Sequence, residues 1–540
     1  MNFAKPLLLI FAAVAIVLIA GTFRTSELSD RPLHGDEAVN MFKFKTLYDD
    51  GTYIYDTADY HGPTLPYLTL IAAAVHEAND FESFPPSMYR AVAVAAGLAL
   101  VALTFLLAPG IGYGAAAFAA LLVAVSPAMV FYSRYYIHEM PLVVFTVLAI
   151  LAGWRYAVTG KLTWALGLGV ALALMHATKE TAIITWFAAG VATLALLADH
   201  HRHHLNLDTA RNLVTHHMLA AVVAGVAWVV IAVVLFSAFF THARGPLDSV
   251  LAFLAYFDRG TGGEPLHVQP WHYYFTLLGW HRPVQPLIWT EALTLSLASV
   301  GLIAAAAGRG IAPRHLSMVR WLAVFTVTMI AVYAFIPYKT PWNVLSFLYG
   351  LMLLAGVGLM VLAWSIPRWI GTKLTAHRPA FVAVPLAVIV LVPVGWATWQ
   401  LSTQTQTTIS ARFNSDRRNP YVYAHPSRRV VELGDRLNEL ASIHELGTET
   451  PVQLYDQGNY WPFPWYVRQL ENVGYFDHLP TEDLRGPIVL IEAHMDDDAK
   501  LWEALGETHA GPFYAGIRPD HTLALYVRKD LWETYIDRRR

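Results

Sequence analysis

The sequence predicts an all-α polytopic membrane domain of about eleven transmembrane helices, followed by a small α/β domain outside the membrane. Three observations carry this. First, the 540 residues are 56% hydrophobic and only 14% charged, with a mean hydropathy of +0.41; an ordinary soluble protein is about 25% charged. Second, 36 of the 77 charged side chains fall in residues 400–540, so the first 399 are far more apolar. Third, apolar runs of about 20 residues, enough to cross a bilayer, recur along the first 400 positions. These features exclude a single soluble globule, a disordered chain and a nucleic-acid binder driven by net charge. The formal charge is only −3, and without Cys there is no disulfide, thiolate metal site or thiol nucleophile.

The runs lie near 4–22, 86–107, 112–131, 139–157, 162–178, 181–198, 218–240, 285–307, 320–337, 343–366 and 379–398. The segment 62–78 is apolar but short and carries His76 and Glu77, so an interfacial helix is expected there. Lys and Arg in short loops set the orientation. With the N-terminus inside, the cytoplasmic loops hold Arg155 and Lys161, Arg202 and Arg211, Arg309, Arg314 and Arg320, and Arg368, Lys373 and Arg378. An odd number of spans places 399–540 outside. The expected domains are therefore 1–398, with outer loops 23–85 and 241–284, and a soluble extracytoplasmic domain at 399–540. The start, Lys5 followed by an apolar run and Ala20-Gly21, also has the form of a cleaved signal peptide; that alternative leaves the later loops on the same sides. No 20–50-residue repeat and no matched pair of broken helices is seen.

Asp36, Glu37, Lys43, Lys45, Asp59, Arg90, Arg134, Glu139, Lys179, Glu180, Arg244 and Lys339 all fall at expected outer span ends or in the first outer loop. Ionisable groups near membrane depth are costly. Singly, each reads as an interfacial anchor; as a set on one side they point to an anionic site. In His34-Gly35-Asp36-Glu37-Ala38, Asp36 can cap a helix with Glu37 in its first turn. The apolar face Ala38, Met41, Phe42 and Phe44 suits a helix on the membrane surface. An alternative to simple capping is that Asp36 accepts a proton from an acceptor hydroxyl or amine. A second short helix starts in Asp59-Tyr60-His61-Gly62-Pro63-Thr64, with Pro63 at an early position. In Ser133-Arg134-Tyr135-Tyr136-Ile137-His138-Glu139, the glutamate opens a span, where the helix dipole favours its anion. It can orient an acceptor, bind a metal or pair with Arg134.

These segments, with Thr178-Lys179-Glu180-Thr181 and Tyr338-Lys339-Thr340-Pro341-Trp342, resemble the GT-C glycosyltransferases, which include protein O-mannosyltransferases and lipid A aminoarabinose transferases. His34–Ala38 and Tyr60–Leu65 look most like a branch named after an archaeal flippase-activity-associated protein. The resemblance covers roughly residues 1–400. It implies a GT-C-like membrane domain, a polyprenyl-phosphate-linked sugar donor, an outward-facing active site in the plasma (inner) membrane, and inversion at the sugar carbon. By position it makes Asp36 the base, with Glu37 and Glu139 beside it as further catalytic carboxylates. Glu139 replaces the Asp usual in the mannosyltransferases. His61, Arg134, Lys179 and Lys339 are then expected at the donor phosphate, and Tyr60, His138 and Trp342 at the sugar or acceptor. Expected partners are the donor lipid, a lipid, glycan or protein acceptor, and the bilayer; no nucleic acid. No cofactor is otherwise called for, though a divalent metal could be held.

The chemistry stands without the family. A lipid-phosphate sugar is already activated, so transfer needs a base, cations for the leaving phosphate and an apolar groove for the isoprenoid. No glycine-rich phosphate loop is present. The His-rich run His200-His201-Arg202-His203-His204, with His216 and His217, falls on the cytoplasmic side and reads as a solvated loop able to hold metal. In the outer loop 241–284, Gly260–Gly263 is a hinge candidate, and Tyr256, Trp271, Tyr273, Tyr274 and Trp280 suit either sugar contact or an interfacial belt. Beyond a polar linker at 399–426, helices are expected at 427–445, 463–472 and 498–506, and strands at 451–456, 487–493, 512–518 and 522–528. Asp496-Asp497-Asp498 reads as a helix cap or metal ligand. Trp461–Tyr466 either packs this domain on the membrane part or touches the acceptor. A flippase of lipid-linked sugars would need polar residues deep in several helices, and few are seen. A non-catalytic envelope scaffold would leave the outer charges scattered.

Overall fold

The computed structural model describes residues 4–57, 61–76, 80–201, 207–258, 267–374, 379–480, 486–495, 505–518 and 520–540, with the side chains of 4–8, 201, 207–214, 365–374 and 379–387 left aside. Asp59, Tyr60, Glu77, Gly260–Gly263, His203, His204 and the Asp496–Asp498 run lie outside the described residues. The chain divides into two compact units: residues 1–28, 46–75 and 89–410, and residues 29–45, 76–88 and 411–540. The boundary is thus at 410/411 rather than 398/399, and two pieces of the first loop belong to the second unit.

Apolar composition writes the first unit as helices: α1 (Ala4–Thr25), α2 (Gly35–Asp50, shared between the units), α3 (Thr64–Val75), α4 (Pro86–Leu106), α5 (Ala108–Ile111), α6 (Tyr113–Val125), α7 (Pro127–Tyr132), α8 (Glu139–Thr159), α9 (Leu162–His176), α10 (Ala182–His201), α11 (Leu207–Phe236), α12 (Gly245–Asp258), α13 (Tyr273–Gly279), α14 (Ala292–Ala307), α15 (Pro313–Phe335), α16 (Val344–Leu374) and α17 (Pro379–Ile409). Each of the eleven expected runs holds a helix. Among the described residues, six stretches are long and apolar enough to cross a membrane: 86–106, 139–159, 182–200, 215–236, 313–335 and 341–364. Breakers shorten others, α6 among them. Gly112, Ser126 and Pro127, for instance, divide 108–132 into three pieces. At α3, where a short interfacial helix was expected, there are only 12 helical residues.

The central helix is α16, which packs against α6, α8, α14, α15 and α17 and is buried along most of its apolar stretch. Lipid offers no hydrophobic drive between helices, so close approach relies on small residues. At the α14–α16 crossing, a Cβ on Gly301 would sit 2.2 Å from the Leu354 carbonyl oxygen, and one on Gly358 would sit 1.9 Å from that of Leu297. Two buried arginines fasten α1. Arg24 donates to the carbonyls of Ala20, Val123 and Ala124 and to Ser133 Oγ; Arg134 donates to those of Phe23, Ser26 and Glu27. Those of Phe23 in α1 and of Val123 and Ala124 in α6 lie in the last helical turn, where an α-helix leaves carbonyls without its own donors.

The second unit is a five-stranded sheet, with β1 (Val452–Tyr455), β2 (Val473–Phe476), β3 (Ile488–Glu492), β4 (His509–Arg518) and β5 (His521–Arg528) in the order β2-β1-β3-β5-β4. β1 runs parallel to β2 and β3; β5 is antiparallel to β3 and β4. The continuous apolar run Ile488–Ile491 is buried throughout, as a central strand covered on both faces requires. On one face α18 (Arg429–Ile443) brings Val430, Leu433, Leu437 and Leu440, the i, i+3, i+4 spacing of a helix stripe, onto Leu454, Leu490 and Leu525. The short helices α19 (Phe463–Tyr466) and α20 (Lys529–Arg539) complete the unit.

Several expectations are corrected here. α17 continues to Ile409 into the segment read as linker, because Gln, Thr and Ser can extend a helix already nucleated. The helix expected at 463–472 is a single turn between Pro462 and the strand β2, which was not anticipated; nor was α20. The helix expected at 498–506 lies mostly outside the described residues. Ala38, Met41 and Phe44 of α2 are buried in protein rather than laid on lipid. Phe42 meets the rings of Phe81 and Trp461 at 5.3 and 5.4 Å, and Tyr466 Oη accepts from Leu33 N–H at 2.8 Å. The aromatic run at 461–466 therefore packs on the loop pieces of its own unit.

Gly358→Leu is expected to lower the detergent-solubilised protein's thermal midpoint, by the equivalent of about 1–3 kcal/mol, the usual scale for overpacking. A thermal-shift comparison with Gly395→Leu, where a Cβ meets nothing within 4 Å, provides the control.

Candidate active site

In the first unit three of the sequence motifs meet. The peptide before α3 lies on the turn that joins α9 to α10. Gly62 N–H donates to Thr178 O at 3.2 Å, Thr64 N–H to Ala177 O at 3.0 Å, and Thr64 Oγ1 to Thr178 Oγ1 at 2.8 Å. The approach requires glycine, since a Cβ on Gly62 would lie 2.1 Å from the Ala177 oxygen. The segment before α8 joins them, as His138 Nε2 donates to Gly62 O at 3.2 Å. His61 and His138 stand edge to face with ring centres 5.0 Å apart.

This backbone framework sets an ion pair and a histidine–carboxylate contact. Glu139, in the first turn of α8, is paired with Lys179; both are buried. His61 Nδ1 lies 2.8 Å from Glu180 Oε2, and Tyr55 Oη donates to Glu180 Oε1 at 2.8 Å. Tyr256 Oη, from the end of α12, lies 3.0 Å from the same His61 nitrogen. Burial works against the Glu180 anion, but His61 and the hydrogen bonds to the carboxylate prevail and hold its pKa below the ordinary range. Of the alternatives open to Glu139, pairing with Arg134 is not the one seen: its ion pair is with Lys179. Arg134 donates to the carbonyls near the end of α1. Lys339 is buried and donates to the carbonyls of Gln269 and Ile336. Trp342 packs on Tyr135 and Tyr132, at 5.9 and 6.4 Å between ring centres.

In the second unit the start of α2 differs from expectation. His34 is the cap: its Nδ1 accepts the Asp36 N–H at 3.0 Å. Glu37 closes the reciprocal bond, accepting the His34 N–H at 3.1 Å, which is the capping-box pattern with an imidazole in place of a hydroxyl. Glu37 is fully buried and paired with Arg31 at 2.9 Å, so this carboxylate is committed to the helix start. Asp36 is left with its side chain 51% exposed. Burial pushes the pKa of His34 down, outweighing the nearby Asp36 and Glu37. His425, whose ring lies 5.1 Å from that of His34, is pushed far down by the same cause.

Residues 73–245 match the family described as Dolichyl-phosphate-mannose-protein mannosyltransferase. The whole fold is shared with ArnT from Cupriavidus metallidurans bound to undecaprenyl phosphate, with a TM-score of 0.56, 15% identity, and 98% of this chain and 99% of that one covered. It is also shared with the archaeal oligosaccharyltransferase AglB from Archaeoglobus fulgidus, solved with an inhibitory peptide and a dolichol-phosphate (TM-score 0.57, 13% identity, 98% and 77% covered). No curated protein matches by sequence. At these identities the likeness is one of fold. The chain shares the fold of these two proteins, and the segment that matches the family contains α8, α9 and the Lys179–Glu180 turn.

Sequence reasoning counted Glu180 among the outer charges of an anionic site and Tyr256 among aromatics suited to sugar contact or an interfacial belt, but set neither beside His61, and it did not single out Tyr55. Glu180 adjoins Lys179 in its motif, and that adjacency was the available signal. Nothing local marks Tyr55.

Lys179→Met should destabilise the protein by about 3–5 kcal/mol, because it strands a buried carboxylate. Lys179→Met with Glu139→Leu should recover much of that loss in a thermal double-mutant cycle. A second outcome concerns pH. With both histidine pKa values depressed in the fold, the unfolded chain binds more protons, so their contribution is present above about pH 6.5 and lost as pH falls below it. The thermal midpoint should therefore drop between pH 6.5 and 5, and His425→Gln should flatten part of that drop.

Proposed function

We propose that the protein is a membrane glycosyltransferase that moves a sugar from a polyprenyl-phosphate carrier to an acceptor on the outer side of the plasma (inner) membrane. The matches support the class, since ArnT and AglB were solved with polyprenyl phosphates and the family match is to a dolichyl-phosphate-mannose enzyme. The observation that carries the reading is the Asp36 carboxylate, exposed at a helix start whose cap is already supplied by His34 and Glu37.

In this reading Asp36 removes the proton as the acceptor oxygen or nitrogen attacks the anomeric carbon. The bond from that carbon to the phosphate oxygen breaks on the opposite side, so the centre inverts. The electron pair leaves with the polyprenyl phosphate. No protonated acid is needed to expel a phosphate, in contrast to glycoside hydrolysis. Lys179 supplies positive charge, and His61 a hydrogen-bond donor, to the departing phosphate. Glu139 and Glu180 hold them in place, so each group is positioned before the donor arrives. Lys339 is a further phosphate contact, and His138 and Trp342 line the sugar or acceptor. The Lys and Arg distribution in the loops supports an active site and C-terminal domain outside the cytoplasm.

Asp36→Asn should cut transfer from a polyprenyl-phosphate sugar by about 10²–10⁴-fold, the usual range for losing a general base, while the thermal midpoint stays near wild type. Radiolabelled donors with purified protein and envelope extract provide the assay. His61→Gln should act mainly on the donor KM. Wild-type turnover in Asp36→Asn would remove that residue from the reaction, and lipid-linked sugar translocation persisting without transfer would point to a flippase.

A further inference from the structure

The C-terminal sheet carries a second cluster of chemistry-bearing side chains that the transfer reaction does not use. Asp456 follows β1 directly, Glu492 is the last residue of β3, and His521 is the first of β5. β1 and β3 are parallel neighbours and β5 runs antiparallel to β3, so all three residues fall on one sheet edge. The chain leaves β1 for β2 on one side and returns to β3 on the other. The carboxyl ends of β1 and β3 therefore form a topological switch point, the place where open α/β sheets receive ligands.

The side chains are arranged as a donor set. One ligand atom from each of the three lies within 4.8 Å of the others, and all three residues are buried. His521 Nε2 is 2.8 Å from Asp456 Oδ2, and Nδ1 is 3.5 Å from Glu492 Oε1. The other oxygen of each carboxylate is held by backbone: Gly458 N–H donates to Asp456 Oδ1 at 2.7 Å, and Gln457 N–H to Glu492 Oε2 at 3.2 Å. Each carboxylate thus has one oxygen anchored and one turned to the imidazole, the outer-shell support that ligating carboxylates require. Gly458 keeps the floor of the cluster open, since a Cβ there would lie 3.2 Å from Asp456 Oδ1 and 3.5 Å from His521 Cε1. Arg518 is the nearby cation; its charge acts on both carboxylates, while its guanidinium donates to the Asn459 carbonyl.

We propose that Asp456, Glu492 and His521 form a binding site for one divalent transition-metal ion, with Zn²⁺ the best fit. Two carboxylate oxygens and one imidazole nitrogen are a zinc donor set, with Zn–O and Zn–N distances of about 2.0–2.2 Å and a fourth position left for water. Imidazole favours zinc over Mg²⁺ or Ca²⁺, which take all-oxygen sites. One imidazole nitrogen binds the ion, and any proton on that nitrogen is released to solvent. The ion joins the ends of β1, β3 and β5, so its effect is on the stability of this unit.

The test uses the full-length protein in detergent, stripped with chelator and titrated with Zn²⁺ by calorimetry. His200, His201, His203 and His204 are replaced by Ala throughout, because that run would itself take zinc. One Zn²⁺ per chain is expected, with a rise in thermal midpoint, and Glu492→Gln and His521→Gln should each weaken binding at least tenfold. Zinc uptake that is absent, or unchanged in both variants, would overturn the site and leave the cluster as a hydrogen-bonded ion network. Should the variants misfold, Co²⁺ added to the unaltered ligand set decides the matter. Intense visible bands of a four- or five-coordinate ion support the site, and the faint spectrum of hydrated Co²⁺ refutes it.

Discussion

A charge buried among apolar helices must find an opposite charge or a set of dipoles, and this constraint organises the first unit. Leaving an ion unpaired there costs several kcal/mol, comparable to the net stability of a domain. Each buried ion at the candidate site is answered: Glu139 by Lys179, Glu180 by His61 and Tyr55. Arg24 and Arg134 are answered by carbonyls. The pairs also do structural work, because their members come from segments far apart in the chain. Joining Glu139 to Lys179 draws the start of α8 to the turn after α9.

Backbone contacts make those pairs possible. Side chains could not hold their geometry if the 62–64 segment were free to slide over 177–178. The absent Cβ of Gly62 and the hydrogen bonds beside it fix that register. The His-Gly-Pro-Thr and Thr-Lys-Glu-Thr motifs are thus two halves of one contact. Each motif is short, and its residue choices make sense once its partner is known. A similar economy holds at the start of α2, where His34 and Glu37 satisfy the first turn and Asp36 is not needed for it. Preorganised groups of this kind are what electrostatic catalysis requires.

Identities of 13–15% with ArnT and AglB over nearly the whole chain show how little of the fold depends on particular residues. Hydropathy and helix length specify where the spans go. A few small residues, such as Gly301 and Gly358, specify which spans touch. The α/β unit obeys different rules, with a covered central strand and an amphipathic helix, so it reads as a soluble domain even in a chain this apolar.

By itself the sequence determined that each long apolar run holds a helix, where α18, β1, β3, β4 and β5 fall after residue 427, and the motifs that hold the candidate residues. These follow from local quantities: apolar run length, the 3.6 and 2 periodicities, and the residues that break them. The tertiary structure decided the partners. Local pattern does not say that Glu139 pairs with Lys179 rather than the nearer Arg134, that His34 caps α2 in place of Asp36, that Glu180 stands under His61, or that residues 29–45 and 76–88 join the C-terminal unit. An ion pair or a domain contact is a property of distance in space, and chain separations of tens to hundreds of residues leave no periodic trace from which to read it.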